Sequence, residues 1–272
     1  MNSARNQQGR IIKAHEYQLE KHGNIFCIDK KCKSPLIYVA AAENTSPYFK
    51  TTGKGNSIHH KDCVFARPLT FEESITKLQD LQKEFLQKNI TPVNIRINLN
   101  GIDPDFVSRN IEREQKPFDP SKLIVKSSSN STSSISSLKS VVKLIELNQP
   151  DLLATVILSI KGKKIPLTEL IITPDQAYEL LWSNKMDESI PYFVYGTIKQ
   201  YIKREKVYFI TFQTEKRFSL VVFEKYFPHF TYSVSQLIEK KFLVYGFIKK
   251  NEYKGKAAEM AIKSNDYLAI LK

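Results

Sequence analysis

The sequence predicts an α+β protein assembled from several small folded pieces, and three observations carry that prediction. All three cysteines, Cys27, Cys32 and Cys63, fall in one stretch together with His59 and His60. A serine-rich run, Ser127 to Ser137, interrupts the middle of the chain. The residues from Pro191 onward alternate apolar and polar side chains in short blocks, as half-buried strands do.

Length and composition fit that outline. A chain of 272 residues suits two or three small domains. With 42% hydrophobic and 11% aromatic residues, most of it is expected to fold. The net charge of +13 favours a polyanion as partner. No stretch approaches the roughly 18 apolar residues of a membrane span. Met1 to Arg10 lacks the apolar core of a signal peptide. An odd number of cysteines does not make a disulfide framework. The expectation is a cytoplasmic, reduced protein, with no membrane association, whose cysteines do something other than cross-link.

In chain order, Ile11 to Glu20 reads as a short strand or helix leading into the cysteines. Cys27 and Cys32 form a thiol pair, and the apolar Leu36 to Ala40 follows as a strand. The second pair is His59 with Cys63 or His60 with Cys63; both spacings chelate, with His59 slightly favoured. Gly53 and Gly55 lend the intervening loop the freedom to bring the halves together. Three thiolates and an imidazole are the donor set of a closed tetrahedral Cys3His zinc site, so Zn2+ is the expected ion.

At these residues the sequence resembles the N-terminal zinc-ribbon segment of CoiA-like competence and mobile-element proteins. Phe26-Cys27, Cys32, Pro47-Tyr48-Phe49 and His59/His60-Cys63 follow the order of that segment over roughly residues 10 to 68. Many relatives carry histidines beside the aromatic pair, where this chain has Tyr48 and Lys50. The resemblance implies a zinc ribbon, and in CoiA itself a nuclease-like domain follows, for which no counterpart is evident here.

Thr70 and Glu73 form a capping box that opens a helix running to about Lys88, with Phe71, Ile75, Leu78, Leu81 and Phe85 on one face. Val93 to Leu99 alternates as a strand, and Asn100-Gly101 turns the chain. Asp103, Asp105, Glu112 and Glu114 are the acidic residues a metal-dependent nuclease would need. They sit in a turn and a charged segment and read as solvated surface. The serine run reads as a flexible linker. The expected pieces are therefore a zinc-ribbon domain with its helix (1–125), a linker (126–137), a small α/β adaptor (138–188) and a C-terminal domain (189–272).

In the adaptor, Leu138, Val141, Val142 and Ile145 mark a short helix. Leu152 to Ile160 and Ile165 to Ile172 read as two strands. Thr173 caps a helix with Pro174 in its first turn, burying Ala177, Leu180, Leu181 and Trp182. The C-terminal domain reads as strands 191–203, 207–213 and 218–223, a helix within 231–241, and strands 242–249 and 258–262. Three strands, a helix and two strands is the order of a five-stranded OB-fold barrel. Gly196 and Gly246 fit the bends of such a barrel. The paired motif V-Y-G-x-I-K, at Val194 to Lys199 and Val244 to Lys249, resembles the pattern of nucleic-acid-binding OB-folds in tRNA synthetase anticodon-binding domains and the large exonuclease VII subunit.

Residues 191–272 hold 15 Lys/Arg against 7 Asp/Glu, which is +8 of the total +13. Single-strand binding pairs a cationic groove with aromatic faces. The candidates are Tyr201, Lys203, Arg204, Lys206 and Tyr208 at the first hairpin, Lys216 and Arg217 at the second turn, and Lys249, Lys250, Tyr253, Lys254 and Lys256 near the last loop. The expected function is a non-enzymatic, zinc-containing protein that binds single-stranded nucleic acid, DNA before RNA. Two other readings stay open: a CoiA-like metal-dependent nuclease, and a protein-interaction adaptor in phage defence or mobile-element replication.

Overall fold

The computed structural model describes residues 1–42, 45–88, 90, 92–107, 134–146, 149–160, 162–253 and 255–271. Glu112, Glu114, Lys254 and the run from Ser127 to Ser133 lie outside them. The chain is mixed α+β and forms two compact units, cut at Val93/Asn94, Lys143/Leu144 and Val156/Ile157 rather than at the serine run alone. No helix among the described residues is long and apolar enough to cross a membrane.

The first unit holds Met1–Val93 and Leu144–Val156. Its antiparallel sheet has the order Ile11–Lys13, Ser3–Asn6, Ile25–Phe26, Pro35–Val39, Tyr48–Lys50. The Ser3–Asn6 strand has no strong strand signal of its own; pairing on both sides makes it one. Ala4, Ala14, Ile25, Leu36 and Phe49 form a small buried cluster beneath the sheet.

The helix Phe71–Gln87 starts at Thr70 with both arms of its capping box present. It buries Phe71, Ile75, Leu78, Gln82 and Phe85, three or four residues apart on one face. Gln82 is the polar residue in that row. Its amide donates to Ala154 O (3.2 Å) and Val156 O (3.1 Å), supplying both carbonyls with a donor away from water. Gln82→Met keeps the volume but strips that donor, so it is expected to cost about 2 kcal/mol of stability. An unchanged urea midpoint would contradict this. The neighbouring helix Pro150–Leu153 buries Asp151, whose carboxylate accepts from Asn2 N (2.5 Å) and Ser3 N (2.9 Å). Burial pushes its carboxyl up, and these amides act in the opposite direction.

The second unit contains most of a four-stranded sheet ordered Ser134–Ile135, Val93–Ile97, Val156–Ile160, Lys163–Pro166. Two readings of this region need correction. Leu152–Ile160 is not one strand, because Pro150 starts a helical turn and the strand begins only at Val156. Ile165–Ile172 is likewise broken by the helix Leu167–Leu170, whose buried ends are three residues apart and so share a helical face.

The larger sheet of this unit is curled. Its order is Ile248–Asn251, Ala257–Ala261, Phe218–Phe223, Val207–Phe212, Tyr192–Lys203, Lys241–Gly246, Leu268–Ile270. Phe218–Phe223 and Ala257–Ala261 run parallel, and Ile171–Ile172 joins Tyr192–Lys203 in parallel. Lys241–Gly246 and Ile248–Asn251 are separated only by Phe247, yet they pair with different strands far apart in the sheet order. The chain turns from one partner to the other at Gly246, where a Cβ would lie 2.8 Å from Met260 Cγ. The two V-Y-G-x-I-K motifs are neighbours, with Val194 opposite Val244 and Gly196 opposite Phe242. Ile198, Ile210, Phe212, Leu220, Val222, Phe242 and Met260 fill the concave side. The helix expected within 231–241 is only Val234–Leu237, preceded by a 3-10 segment, Glu224–His229.

Candidate metal centre and cationic surface

The cysteine stretch folds into two facing turns. In the first, Asp29 Oδ1 accepts from Lys31 N (3.0 Å), and Asp29 O accepts from Cys32 N (3.0 Å) and Lys33 N (3.3 Å). Lys33 takes the left-handed conformation (φ 52°) that reverses the chain into the next strand. The second turn follows the glycine loop, where Gly53 (φ 73°) and Gly55 (φ 55°) adopt a backbone most residues avoid. Ser57 Oγ donates to Pro35 O (2.8 Å), and Ser34 Oγ donates to Ile58 O (2.5 Å). These two bonds bring the turns face to face. The Cys63 N–H then closes onto His60 O at 2.8 Å.

The result places one ligand atom each of Cys27, Cys32, His59 and Cys63 within 4.8 Å of one another. Cys27 Sγ lies 3.6 Å from Cys63 Sγ. His59 Nδ1 is 3.4 Å from Cys32 Sγ and 3.6 Å from Cys63 Sγ. Bonds of about 2.3 Å to sulfur and 2.0 Å to nitrogen around a tetrahedral ion put donors roughly 3.5–3.8 Å apart. The spacing is therefore compatible with a metal site such as zinc. His60 points away: its Nδ1 is 3.5 Å from Asp62 Oδ2 and its side chain is largely exposed.

Backbone N–H groups of Asp29, His60 and Phe65 face the sulfurs of Cys27, Cys32 and Cys63 respectively. Such N–H···S contacts stabilise the anion and orient the ligand. The hydrogen bond from Cys27 lowers Cys63 to about 7. The same contact, followed by burial, pushes the Cys27 thiol up. A cation among the sulfurs removes that conflict, because it favours all three thiolates at once.

Arg5 braces this centre from outside. Its Nε donates to Ile28 O (2.7 Å), beside Cys27, while its two terminal nitrogens reach Glu84 at 2.7 and 2.6 Å. The fork ties the first turn to the Phe71–Gln87 helix. The Arg5 hydrogen bond holds the Glu84 carboxyl down at about 2, well below the ordinary 4.5. A depressed carboxylate stabilises the folded state above the ordinary value, and that stability is lost as pH falls through the folded one. The stability difference between wild type and Glu84→Gln is therefore expected to be full at neutral pH and to shrink between about pH 5 and pH 2. Parallel denaturant midpoints at all pH values would refute it.

The basic and aromatic candidates of the second unit fall in different environments. Tyr201 is only 8% exposed, edge-on to Tyr208 and Phe230, so it offers no free face and belongs to the core. Burial raises its phenol to about 12. Tyr208 stacks on Phe227 at 3.7 Å, which occupies one of its faces. Lys203 lies over both tyrosine rings, and Arg204 over Phe209 at 5.5 Å. Lys206 and Lys249 are exposed at the surface, and Tyr253 is 75% exposed. Lys216 pairs with Glu179 at 2.9 Å. Lys250 and Lys256 lie over Trp182, and Arg217 lies beside Gly255.

Two residues of the outer face are absent from the sequence reading. Phe209 sits opposite Val221, and Phe223 opposite Val207. Phe209 is half-buried and Phe223 is 50% exposed. Alternation in V-Y-F-I-T-F marks a strand but places aromatics on both parities, so it does not say which ring faces out.

Asp103 and Asp105 are not simply solvated. Lys263 Nζ bridges them at 2.7 and 3.0 Å, and Tyr226 donates to Asp105 at 2.5 Å. The Tyr226 hydroxyl, then Lys263, holds Asp105 down at about 2. They anchor the Asn100–Ile102 turn, whose Ile102 O accepts from Ser264 Oγ at 2.7 Å.

Residues 1–84 are similar to a family described as a domain of unknown function (DUF7828). The match covers the sheet of the first unit, both cysteine turns and most of the long helix. A search of curated proteins found no match to the chain.

Proposed function

We propose that the chain is a zinc-containing protein that binds single-stranded nucleic acid on an OB-type barrel in its second unit. The observation that carries this is the outer face of Val207–Phe212 and Phe218–Phe223. It presents Phe209 and Phe223 between a cationic hairpin at Lys203, Arg204 and Lys206 and, toward the other end of the strands, Arg217 and Lys249. Aromatic rings at a sheet surface, one half-buried and one half in solvent, flanked by positive charge are what stacking bases and their phosphates require. In an OB-fold these strands are the second and third, the usual binding face.

The barrel reading is supported by the parallel pairing of Phe218–Phe223 with Ala257–Ala261 and by the segment Lys241–Asn251 that pairs with two different strands. The zinc reading is supported by donor type and spacing at Cys27, Cys32, His59 and Cys63. Every ligand position is filled by protein, so the ion is structural: it stiffens the first unit, and the zinc-ribbon resemblance to CoiA-like proteins rests on it. Asp103 and Asp105 spend their charge on Lys263 and Tyr226, which favours the non-enzymatic reading.

Labelled oligonucleotides longer than the ~16 nucleotides one OB-fold covers test the proposal. Saturable anisotropy that weakens linearly in log–log salt is expected, with single strands preferred over duplex and DNA over RNA. Absence of binding, or binding indifferent to salt, would end it. Metal-dependent cleavage of the strand would transfer support to the nuclease reading.

A further inference from the structure

Trp182 closes the helix Pro174–Trp182, a segment whose sequence carries no chemical motif. In the folded chain two lysines from the far end of the sequence converge on its indole. Lys256 Nζ is 5.1 Å and Lys250 Nζ 5.5 Å from the ring centroid. The Trp182 N–H is buried and finds no acceptor among the described residues. Lys250 also donates to the neutral side chain of Asn184 at 2.6 Å. Neither lysine forms an ion pair among the described residues, unlike Lys163, Lys216, Lys225 and Lys263, each of which meets a carboxylate. Arg217 Nη1 lies 3.1 Å from where a side chain at Gly255, the residue before Lys256, would begin.

Like charges gathered on one ring repel each other, and the cation–π attraction offsets only part of that. An anion held between the two ammonium groups removes the repulsion. We infer that Trp182, Lys250 and Lys256 form a phosphate subsite for the backbone of the bound single strand. The indole orients the two ammonium groups, and the helix before the barrel becomes part of the binding surface. This inference rests on the nucleic-acid reading above.

Trp182 is the only tryptophan of the chain, so its fluorescence reports on this spot alone. Titration of the full-length protein with a labelled oligonucleotide is expected to change tryptophan emission with the same midpoint as the anisotropy. Lys250→Gln with Lys256→Gln keeps aliphatic stems over the ring and removes both charges. It is expected to reduce the slope of log affinity against log salt by about 1.4, the share of two phosphate contacts on a single strand. Lys250→Arg with Lys256→Arg is expected to restore the slope. Anisotropy that rises with unchanged emission, or an unchanged slope in the glutamine variant, overturns the subsite and leaves the binding face standing. No anisotropy change with any strand overturns both.

Discussion

Cys63→Ser is expected to yield protein without bound zinc and with a first unit that does not hold its fold. Cys63 Sγ lies 3.6 Å from Cys27 Sγ and from His59 Nδ1, and also interacts with Cys32. Serine supplies a hydroxyl that neither ionises at neutral pH nor suits a borderline-soft cation. Structural zinc sites contribute about 10–16 kcal/mol of apparent folding free energy, comparable to the whole stability of a small domain. The apolar cluster under this sheet is five residues, two of them alanines, and does not replace that contribution. Elemental analysis should find about one zinc per wild-type chain and none in the variant, the count expected from the one four-donor cluster among the described residues. Cys27 and Cys32 should become reactive toward a thiol reagent only in the variant, or in wild type after chelation. His60→Ala, by contrast, should retain the metal. A Cys63→Ser protein that melts like wild type would refute the structural role.

The second large effect falls on binding. Phe209→Ala and Phe223→Ala should each weaken single-strand affinity by about 2 kcal/mol, roughly 30-fold, the usual loss for one stacked base. Neither change removes a phosphate contact, so the salt slope should stay as in wild type. Phe223 is already half in solvent, so its loss should cost the fold little. Anisotropy titrations at several salt concentrations separate the two effects. Affinity within twofold of wild type for both variants would remove the outer face from the site.

Local chemistry made much of this legible. The crowding of three cysteines and a histidine pair points to a metal cluster by donor type and spacing alone. Thr70 with Glu73, and Thr173 with Pro174, marked helix starts because a capping side chain acts within one turn. The alternating runs 191–203, 207–213 and 218–223 marked strands because side-chain period belongs to the backbone itself. Short apolar runs fared worse. Leu152–Ile160 and Ile165–Ile172 have composition that suits either state, and burial against neighbours chose a helical turn inside each.

What the sequence by itself determined are the features whose cause lies within a few residues: donor type and spacing, helix caps, strand periodicity, and the sign of the charge at each turn. The tertiary structure decided what depends on residues far apart in the chain. It selected His59 over His60, put Phe209 and Phe223 on the sheet face opposite Ile210 and Leu220 while burying Tyr201, set Asp103 and Asp105 against Lys263, and carried Lys250 and Lys256 to Trp182. The physical reason is that a strand's pattern names two faces but only closure of the sheet decides which of them meets water.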